Sequence, residues 1–332
     1  MNKKAILLVS GGLDSILSGY KMKEQNVDII GVYFKTPFTS KKNKDIIKSA
    51  EKKLGIRCNI KFLGQEYLNV ISSPKYGYGK NMNPCIDCRI YMLSQAKKIM
   101  REQGADFIVT GEVIGQRPMS QKLNTIKLIE KKAGLEGKIV RPLSAGLMDS
   151  SIPEKNGWID SEMFLSISGR SRKKQFKIAE KYGLKKGDYL SPSGGCRLTN
   201  KEYSDKLKDL LKFQNKPDLK QIDLLNKGRH FRISDNFKVI VGRDEKENKL
   251  LDEISDKKNV KMKAANFVGP LCIGDGRPGK RDLKVMAGIC GRYSDCKKDG
   301  IIKFICYNKN IKKDYIKAEP LRPEKVMQYS VI

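Results

Sequence analysis

Three cysteines stand where thiol chemistry is favoured. Cys85 and Cys88 lie in the stretch NMNPCIDCRIYML, and Cys196 ends the stretch SPSGGC. Pro84 predicts the start of a helix, so the first two thiols share one helix face near an N-terminus, where thiol pKa values are lowered. The glycines before Cys196 let the backbone approach a bulky inorganic group closely. This pattern favours metal binding or persulfide chemistry.

A second stretch, SGGLDS at residues 10–15, is suited to binding phosphate. The apolar run before it predicts a strand, and the amphipathic segment after it predicts a helix. Glycines in such a turn let backbone N–H groups face outward, and the helix dipole adds its positive end. The stretch is not a Walker A loop, because no Gly-Lys-Ser/Thr follows, and it is not G-x-G-x-x-G. The alternative is an ordinary turn capped by Asp14 or Ser15.

The composition limits the partners and the compartment. Lys and Arg number 67 against 37 for Asp and Glu, which gives a net charge of +30. Such a surface attracts phosphate backbones, so nucleic acid is the expected partner; a lysine-rich proteome is the alternative explanation. No apolar stretch reaches about 18 residues, and the N-terminus lacks the unbroken apolar region of a signal peptide, so we expect a cytoplasmic protein without a membrane partner. The single histidine, His230, argues against His-based triads and His-rich zinc sites.

The elements that position these residues follow from periodicity. Strands are expected at AILLV, DIIGVYF, NIKFL and FIVTG, and helices at about 14–24, 41–54 and 86–103, so the first half predicts βαβ units on a parallel sheet. Later, alternating residues in HFRISDNFKVIVGR predict paired strands with a turn at Asp235-Asn236. We therefore expect an α/β domain over 1–215 and a smaller α+β domain over 216–332. The other cysteines are expected to be small buried side chains: Cys58, Cys272, Cys290, Cys296 and Cys306.

The SGGLDS stretch resembles the PP-loop of ATP pyrophosphatases, which bind ATP, adenylate a substrate and release pyrophosphate. The resemblance implies the adenine nucleotide alpha hydrolase-like fold, a parallel sheet with helices on both faces. It also implies that Asp14 helps to place Mg²⁺. A second stretch, VTGEVIGQRPMSQ, takes the place where these enzymes close over the α-phosphate, with an ordinary strand-end loop as the alternative; its candidates are Gly111, Glu112 and Arg117. The residues implied to bind ATP are Ser10, Gly11, Gly12, Leu13, Asp14, Ser15, Phe34, Gly111 and Arg117.

Asn83-Pro84-Cys85 is similar to the Asn-Pro-Cys of the bacterial 2-thiouridylases, so the chain resembles the PP-loop tRNA thiolation enzymes, the 2-thiouridine and 4-thiouridine synthetases. Some of these hold a 4Fe-4S cluster by three cysteines, which leaves one iron open to carry sulfur. For this sequence, the resemblance implies that the cluster ligands are Cys85, Cys88 and Cys196. It also implies that these three cysteines and Asp14 are the catalytic residues. The alternatives are a persulfide on one cysteine that another resolves, and zinc or purely structural thiols.

The reaction implied by this resemblance is ATP-dependent tRNA sulfur transfer. A uridine carbonyl is adenylated, and sulfur from sulfide or a persulfide carrier displaces AMP. The resemblance fixes no oligomeric state. Two other functions remain open from the sequence: a PP-loop amidating ligase with structural cysteines, and a non-catalytic RNA-binding factor.

The C-terminal part resembles the RNA-binding region of NFACT proteins over roughly 225–328. The resemblance implies that this domain binds RNA and that Gly242 turns the chain to present Arg243. A further basic stretch, ISGRSRKKQ, contains Arg170 and Arg172. These two side chains are expected to clamp RNA phosphate or the ATP-bound substrate, with a solvated helix face as the alternative.

Overall fold

The computed structural model describes residues 3–39, 43–190, 196–256, 258–296, 300–308 and 314–332. The chain divides into two compact units, Met1–Thr199 and Asn200–Ile332, which are called unit 1 and unit 2 below. The glycines predicted to precede Cys196 lie outside the described residues. In the part of the chain that the structure describes, no helix has both the length and the apolar character needed to cross a membrane.

Unit 1 is built on a parallel sheet of five strands in the order β3-β2-β1-β4-β5, flanked by helices, which confirms the predicted α/β fold. The strands are β1 (Lys4–Leu8), β2 (Asp28–Lys35), β3 (Cys58–Phe62), β4 (Phe107–Thr110) and β5 (Ile139–Val140). The helices are α1 (Leu13–Lys23), α2 (Asn43–Leu54), α3 (Gln65–Ser72), α4 (Cys85–Glu102), α5 (Leu123–Ala133), α6 (Ile152–Lys155) and α7 (Lys173–Lys181). Short 3-10 turns at Ala145–Leu147, Ser161–Met163 and Arg197–Thr199 complete this unit.

The centre of unit 1 is β1, which pairs with β2 on one side and β4 on the other. Ala5, Ile6 and Leu7 are completely buried, as expected for a strand that is covered on both faces. Leu13 and Leu17 bury the inner face of α1 in the same core. The turn between β1 and α1 is therefore held at both ends by packed elements.

Helix α5 is absent from the elements predicted from the sequence. Its buried positions Ile126, Ile129 and Ala133 have helical spacing, and Gly134 ends the helix with a left-handed backbone at φ 61°. The helix packs along α4, whose first residue is Cys85. This contact supports the helix that carries two of the three candidate cysteines.

Unit 2 is built on an antiparallel sheet of six strands in the order β11-β10-β8-β9-β7-β6. The strands are β6 (Arg229–Ser234), β7 (Phe237–Val241), β8 (Val260–Ala264), β9 (Cys272–Gly276), β10 (Ile302–Tyr307) and β11 (Asp314–Ala318). The helices are α8 (Lys201–Phe213), α9 (Leu219–Leu224), α10 (Glu245–Ile254), α11 (Lys280–Arg292) and α12 (Pro323–Met327). The predicted hairpin turn at Asp235-Asn236 joins β6 to β7, and α11 buries Met286 and Ile289 against the sheet.

The two units divide before α8, whereas the sequence predicted a division after residue 215. Asp209 of α8 explains the difference. Its carboxylate accepts hydrogen bonds from Arg232 Nε at 2.9 Å and Arg232 Nη2 at 2.8 Å, and it pairs with Lys238 at 2.7 Å. These partners lie on β6 and β7, so α8 is bound to the antiparallel sheet by charge pairs that a sequence pattern does not reveal.

Candidate active site

The turn between β1 and α1 has the backbone geometry of an anion site. Gly11 adopts a left-handed backbone at φ 77°, and Gly12 is the N-cap of α1 with an extended backbone. No side chain caps the helix, contrary to the alternative that Asp14 or Ser15 closes it. The N–H groups of the first helical turn therefore have no side-chain partner at the cap, and the dipole of an 11-residue helix points at the same place.

The two serines of the turn fix its shape. The Ser15 hydroxyl donates to the Gly12 carbonyl at 2.8 Å and accepts from the Ser10 backbone N–H at 3.2 Å. The Ser10 hydroxyl lies 3.2 Å from that of Ser15. Both hydroxyls are therefore hydrogen-bonded within the turn, and both residues line the cavity described below.

Asp14 is the acidic group of this turn and is almost buried. Its Oδ2 accepts a hydrogen bond from Gln116 Nε2 at 2.7 Å and lies 3.3 Å from Arg172 Nη2. Gln175, which is fully buried, donates to Gln116 Oε1 at 3.0 Å. Among the described residues, the buried Asp14 Oδ1 has no hydrogen-bond partner. A carboxylate oxygen held in this way suits Mg²⁺, which prefers oxygen ligands.

The cysteines are brought together from two distant parts of the chain. Cys85 and Cys88 occupy the first turn of α4, for which Pro84 is the N-cap. The backbone of Cys196 forms an isolated antiparallel β-bridge with that of Thr39, which lies beyond the end of β2. All three cysteines line the same cavity of about 280 Å³ in unit 1.

Tyr67 of α3, which the sequence analysis missed, contacts one of these cysteines. Its hydroxyl donates to Cys88 Sγ at 2.9 Å, and the Met92 Sδ lies 3.9 Å from the same sulfur. The ring is buried between Phe38 and Tyr91. Nothing in the local sequence signals this contact, because Tyr67 and Cys88 belong to different helices.

Burial raises the pKa of all three thiols, which differs from the expectation that the helix N-terminus lowers it. Burial raises the pKa of Cys196 to about 12, and it also raises those of Cys85 and Cys88. Arg117 and Arg89 act in the opposite direction on the α4 cysteines, because their charges favour the thiolate. Desolvation outweighs these charges, so the pKa values of all three thiols are raised.

The cavity that holds the cysteines also contains most of the predicted nucleotide-binding residues. Its lining includes Ser10, Gly12, Asp14, Ser15, Phe34, Gly111 and Arg117. Two predicted residues do not line it: Leu13 is completely buried in the core, and Gly11 turns the chain behind the surface. Arg89 and Gln116 line the cavity but were not predicted to bind the nucleotide. Arg172, which was predicted to clamp RNA phosphate or the ATP-bound substrate, lines it as well.

Glu112 has a different position from the one predicted. Its carboxylate is buried, accepts from Arg89 Nε at 2.8 Å and Arg141 Nε at 2.9 Å, and contacts the Thr110 hydroxyl at 3.2 Å. Burial alone raises its pKa, but Arg89 and Arg141 lower the pKa to about 2. Arg141 also pairs with Glu130. Glu112 therefore does not face a nucleotide but holds Arg89 at the cavity.

Other predicted basic residues have local partners. Arg172 pairs with Asp14, whereas Arg170 is exposed. Arg243 is bound to Glu247, with Nε 2.9 Å from Oε2.

His230 is packed in the core of unit 2, where its Nε2 lies 2.8 Å from the Lys227 carbonyl oxygen. Cys290 and Cys296 are buried, as expected for small apolar side chains.

The candidate ligands for a metal group in the cavity are its three thiols. Within the described ranges, no group of three His, Cys, Asp or Glu side chains is arranged to hold a metal ion. The three ligands of a 4Fe-4S cluster bind three different irons, so they surround a larger group than one ion. Three thiols on one cavity match that ligand type and number.

Two family models match separate parts of the chain. Residues 1–153 match the model described as Thiamine biosynthesis protein (ThiI), and residues 228–330 match the model described as NFACT protein RNA binding domain. Each match covers less than half of the chain. They confirm the two resemblances found in the sequence.

Individual relatives are similar to about a third of the chain. A probable tRNA sulfurtransferase of Clostridium acetobutylicum is 34% identical over 122 residues, which are 35% of this chain and 30% of that protein. The tRNA-specific 2-thiouridylase MnmA of the same organism is 34% identical over 127 residues, 33% of this chain and 36% of that protein. The chain thus spans about a third of the length of the curated relatives it matches. A crystal structure of a 4-thiouridine synthetase–RNA complex with bound ATP matches with 25% identity and a TM-score of 0.38, over 67% of this chain and 52% of that one.

Proposed function

We propose that this chain is an ATP-dependent tRNA sulfurtransferase, which adenylates a uridine carbonyl oxygen and then replaces that oxygen with sulfur. One observation supports this most directly: the phosphate-binding turn and the three cysteines line a single cavity. A PP-loop alone would suit many ATP pyrophosphatases, and three thiols alone would suit metal storage. Together they provide activation and a sulfur site within reach of one bound nucleotide.

In the first step, the uridine carbonyl oxygen attacks the α-phosphorus of ATP. Pyrophosphate leaves with the electron pair of the broken P–O bond. The N-terminus of α1, with Ser10 and Ser15 beside it, would hold the leaving pyrophosphate, and Asp14 Oδ1, which has no hydrogen-bond partner among the described residues, would bind Mg²⁺. Arg117 neutralises charge at the α-phosphate, and Phe34 flanks the adenine. We assign these roles because the side chains named here all line the same cavity.

For the second step, Cys85, Cys88 and Cys196 would hold a 4Fe-4S cluster through three thiolates. When bound, such a cluster supplies an open iron from which sulfur can be delivered. The chain itself orients one ligand, because the Tyr67 hydroxyl donates to Cys88 Sγ. A persulfide on one of the cysteines is the alternative route, and it requires the same convergence of thiols.

Arg89 supports the second step through its charge. It lies near both Cys85 and Cys88 and favours their anionic forms. Bond formation between sulfur and the activated carbon releases AMP, whose phosphate carries the negative charge that leaves the pyrimidine. The cations Arg89 and Arg117 are placed to stabilise that charge in a partly enclosed site.

Unit 2 supports the choice of tRNA as the substrate. Its residues 228–330 match an RNA-binding family model, and the chain carries a net charge of +30. Chemistry on a base requires the nucleotide to leave its stack, so the enzyme has to hold the RNA by contacts outside the reacting base. A basic unit dedicated to RNA meets this need.

The experiment that tests this function starts from protein purified without oxygen. Iron and labile sulfide are quantified, and the protein is incubated with ATP, sulfide and tRNA from a strain that lacks the corresponding gene. Mass spectrometry of the digested tRNA is expected to show one thiouridine per active tRNA, formed only with ATP. Pyrophosphate release without any thiouridine, with iron absent, would instead favour an amidating ligase. Absence of pyrophosphate release would favour the alternative that the chain is a non-catalytic RNA-binding factor.

A further inference from the structure

Unit 2 contains a cavity of about 950 Å³ that the proposed chemistry does not use. It lies where the β6–β7 turn, the segment after β9 and the C-terminus of α8 meet. Its lining includes Phe213, Arg232, Lys238, Lys258, Asn259 and Arg277. The volume lies within the range of small-molecule sites, which is about 300–1,000 Å³.

The floor of this cavity carries more positive than negative charge. Arg232 and Lys238 share the single carboxylate of Asp209, at distances of 2.8 and 2.7 Å. The Lys238 side chain is only 4% exposed, so its charge is poorly screened by water. Lys258 and Arg277 add two more cations at the rim. Asp235 and Asp275 also line the cavity, so together with Asp209 three carboxylates face four cations, and an anionic group would balance the cation that is left.

The cavity also provides a stacking surface. The Arg232 guanidinium lies 4.3 Å from the centroid of the Phe213 ring, and the exposed Lys212 amine lies 5.1 Å from the same centroid. Aromatic rings and guanidinium planes are the surfaces on which unstacked RNA bases stack. A site for an isolated phosphate has no need of such a surface.

Two amide side chains of the lining are held in place by hydrogen bonds. Gln221 Nε2 donates to Asp275 Oδ2 at 2.9 Å, and Asn259 Nδ2 donates to Asp275 Oδ1 at 3.2 Å. Each amide oxygen also accepts a backbone N–H, Gln221 from Asp218 at the start of α9 and Asn259 from Asp256, so both side chains hold fixed positions. Their free lone pairs are polar groups that a base edge can meet without a rearrangement of the wall.

We propose that this cavity binds one unstacked nucleotide of a single-stranded RNA segment, with its phosphate beside Lys238 and its base on the Phe213–Arg232 pair. The inference rests on the proposed function, because that function makes RNA the partner. It goes further by predicting that unit 2 grips an unpaired nucleotide and not only a helical backbone. A nucleotide contact in unit 2 would hold the tRNA while the target uridine enters unit 1.

The test uses the full chain and a fluorescein-labelled hexauridylate, with saturating ATP present so that the unit 1 cavity is filled. Phe213→Leu should weaken hexauridylate binding about tenfold, since base stacking contributes about 1–3 kcal/mol. Lys238→Met should weaken it about tenfold as well, because it removes the cation beside the phosphate. Lys238→Met keeps Asp209 paired with Arg232, and burial lowers the pKa of Lys238 to about 8, so loss of this ammonium should not unfold the unit. Arg277→Gln changes an exposed side chain and should weaken binding about threefold without affecting folding.

Two matched controls change the same residue types elsewhere in unit 2. Lys249 is an exposed lysine of α10, and Phe267 is an exposed phenylalanine. Lys249→Met and Phe267→Leu should change the affinity less than twofold. A duplex hairpin of equal charge should show no extra loss with Phe213→Leu.

The outcomes separate this inference from the proposed function. The proposed nucleotide site is contradicted if Lys238→Met and Phe213→Leu lower the affinity for hexauridylate no more than their controls do. It is also contradicted if Phe213→Leu lowers the affinity for the hairpin as much as that for hexauridylate. Either result holds independently of whether the enzyme forms thiouridine. If wild-type protein binds hexauridylate through these residues but forms no thiouridine in tRNA, the site stands and the proposed function falls.

Discussion

A Cβ atom at Gly111 would lie 2.4 Å from the backbone nitrogen of Ser15 and 2.5 Å from the carbonyl carbon of Asp14. The end of β4 and the first turn of α1 thus touch backbone to backbone. Real side chains do not approach a backbone this closely, so only glycine fits at this position without a shift of the phosphate-binding turn. Gly111 was predicted to bind ATP, and its position shows that it fixes the turn to which we assign the phosphates.

Gly111→Ala should lower ATP-dependent pyrophosphate release by about a hundredfold, because a misplaced catalytic turn costs about that much even when every side chain remains. The added methyl should destabilise unit 1 by about 1–3 kcal/mol, as overpacking does. Initial rates of pyrophosphate release and urea unfolding measure the two effects. Gly279→Ala is the control, because a Cβ at Gly279 meets only the Asp282 carboxylate at 3.7 Å. A wild-type rate in Gly111→Ala would show that the turn is free to move.

Asp14→Asn should abolish pyrophosphate release but leave the affinity for tRNA nearly unchanged. The carboxylate has one buried oxygen without a partner among the described residues, and the neutral amide is a poor ligand for Mg²⁺. Asp28→Asn is the matched control, because Asp28 is exposed at the start of β2, at the other end of the sheet. Release assays over a range of Mg²⁺ concentrations should show no rescue of the Asp14 variant. Full activity in that variant would remove Asp14 from the site.

Cys85→Ala, Cys88→Ala and Cys196→Ala should each lose bound iron and thiouridine formation together, while pyrophosphate release continues. The reason is that the thiols act after adenylation. Iron analysis and the visible absorption of the reconstituted protein measure the bound iron, and nucleoside mass spectrometry measures thiouridine formation. Cys58→Ala is the control, since Cys58 lies on the edge strand β3 and is not part of the cavity lining. Loss of thiouridine with iron fully retained would favour the persulfide route.

Glu112→Gln should destabilise unit 1 by about 3–5 kcal/mol at pH 7, because two guanidinium groups lose their buried counter-charge. The folded-state pKa of Glu112 is about 2, below its ordinary value of 4.5. Its contribution is therefore complete above pH 4.5 and is lost as the pH falls towards 2. Urea unfolding of both proteins should show a difference that narrows over this range. The exposed Glu245→Gln should leave unfolding unchanged, and a pH-independent difference would contradict the assigned pKa.

Binding of tRNA should weaken steeply with salt. If about six phosphates are neutralised, the slope of log K against log salt is about −5, which is roughly a thousandfold loss between 50 and 200 mM. Filter binding at four salt concentrations measures the slope. A slope near zero would mean that the charge of +30 is not used to bind RNA.

Local patterns in the sequence were sufficient for much of the fold. The apolar run of β1, the glycine turn and the amphipathic α1 each depend on residues close in sequence, so the parallel sheet and its phosphate-binding turn were predictable. Helix α5 was also detectable from the spacing of Ile126, Ile129 and Ala133. The residue Cys196 was singled out by its glycines, although they lie outside the described residues.

Contacts between distant elements were not predictable in the same way. Tyr67 of α3 contacts Cys88 of α4, and Arg89 of α4 contacts Glu112, which follows β4. Glu112 itself was misjudged because its position after β4 does not reveal that two arginines enclose it. The sign of the thiol pKa shift was wrong for a related reason, since burial depends on the whole surrounding fold.

Glu112 determines how freely the Arg89 side chain can move. An unrestrained arginine loses up to about 2 kcal/mol of rotamer entropy when it is fixed against a ligand. Arg89 has already lost that freedom on folding, because Glu112 holds its guanidinium and Arg141 holds Glu112 from the other side. An anion that enters the cavity therefore meets a cation whose ordering cost belongs to folding and not to binding. A carboxylate that touches no reactant can in this way strengthen the affinity of the site for one.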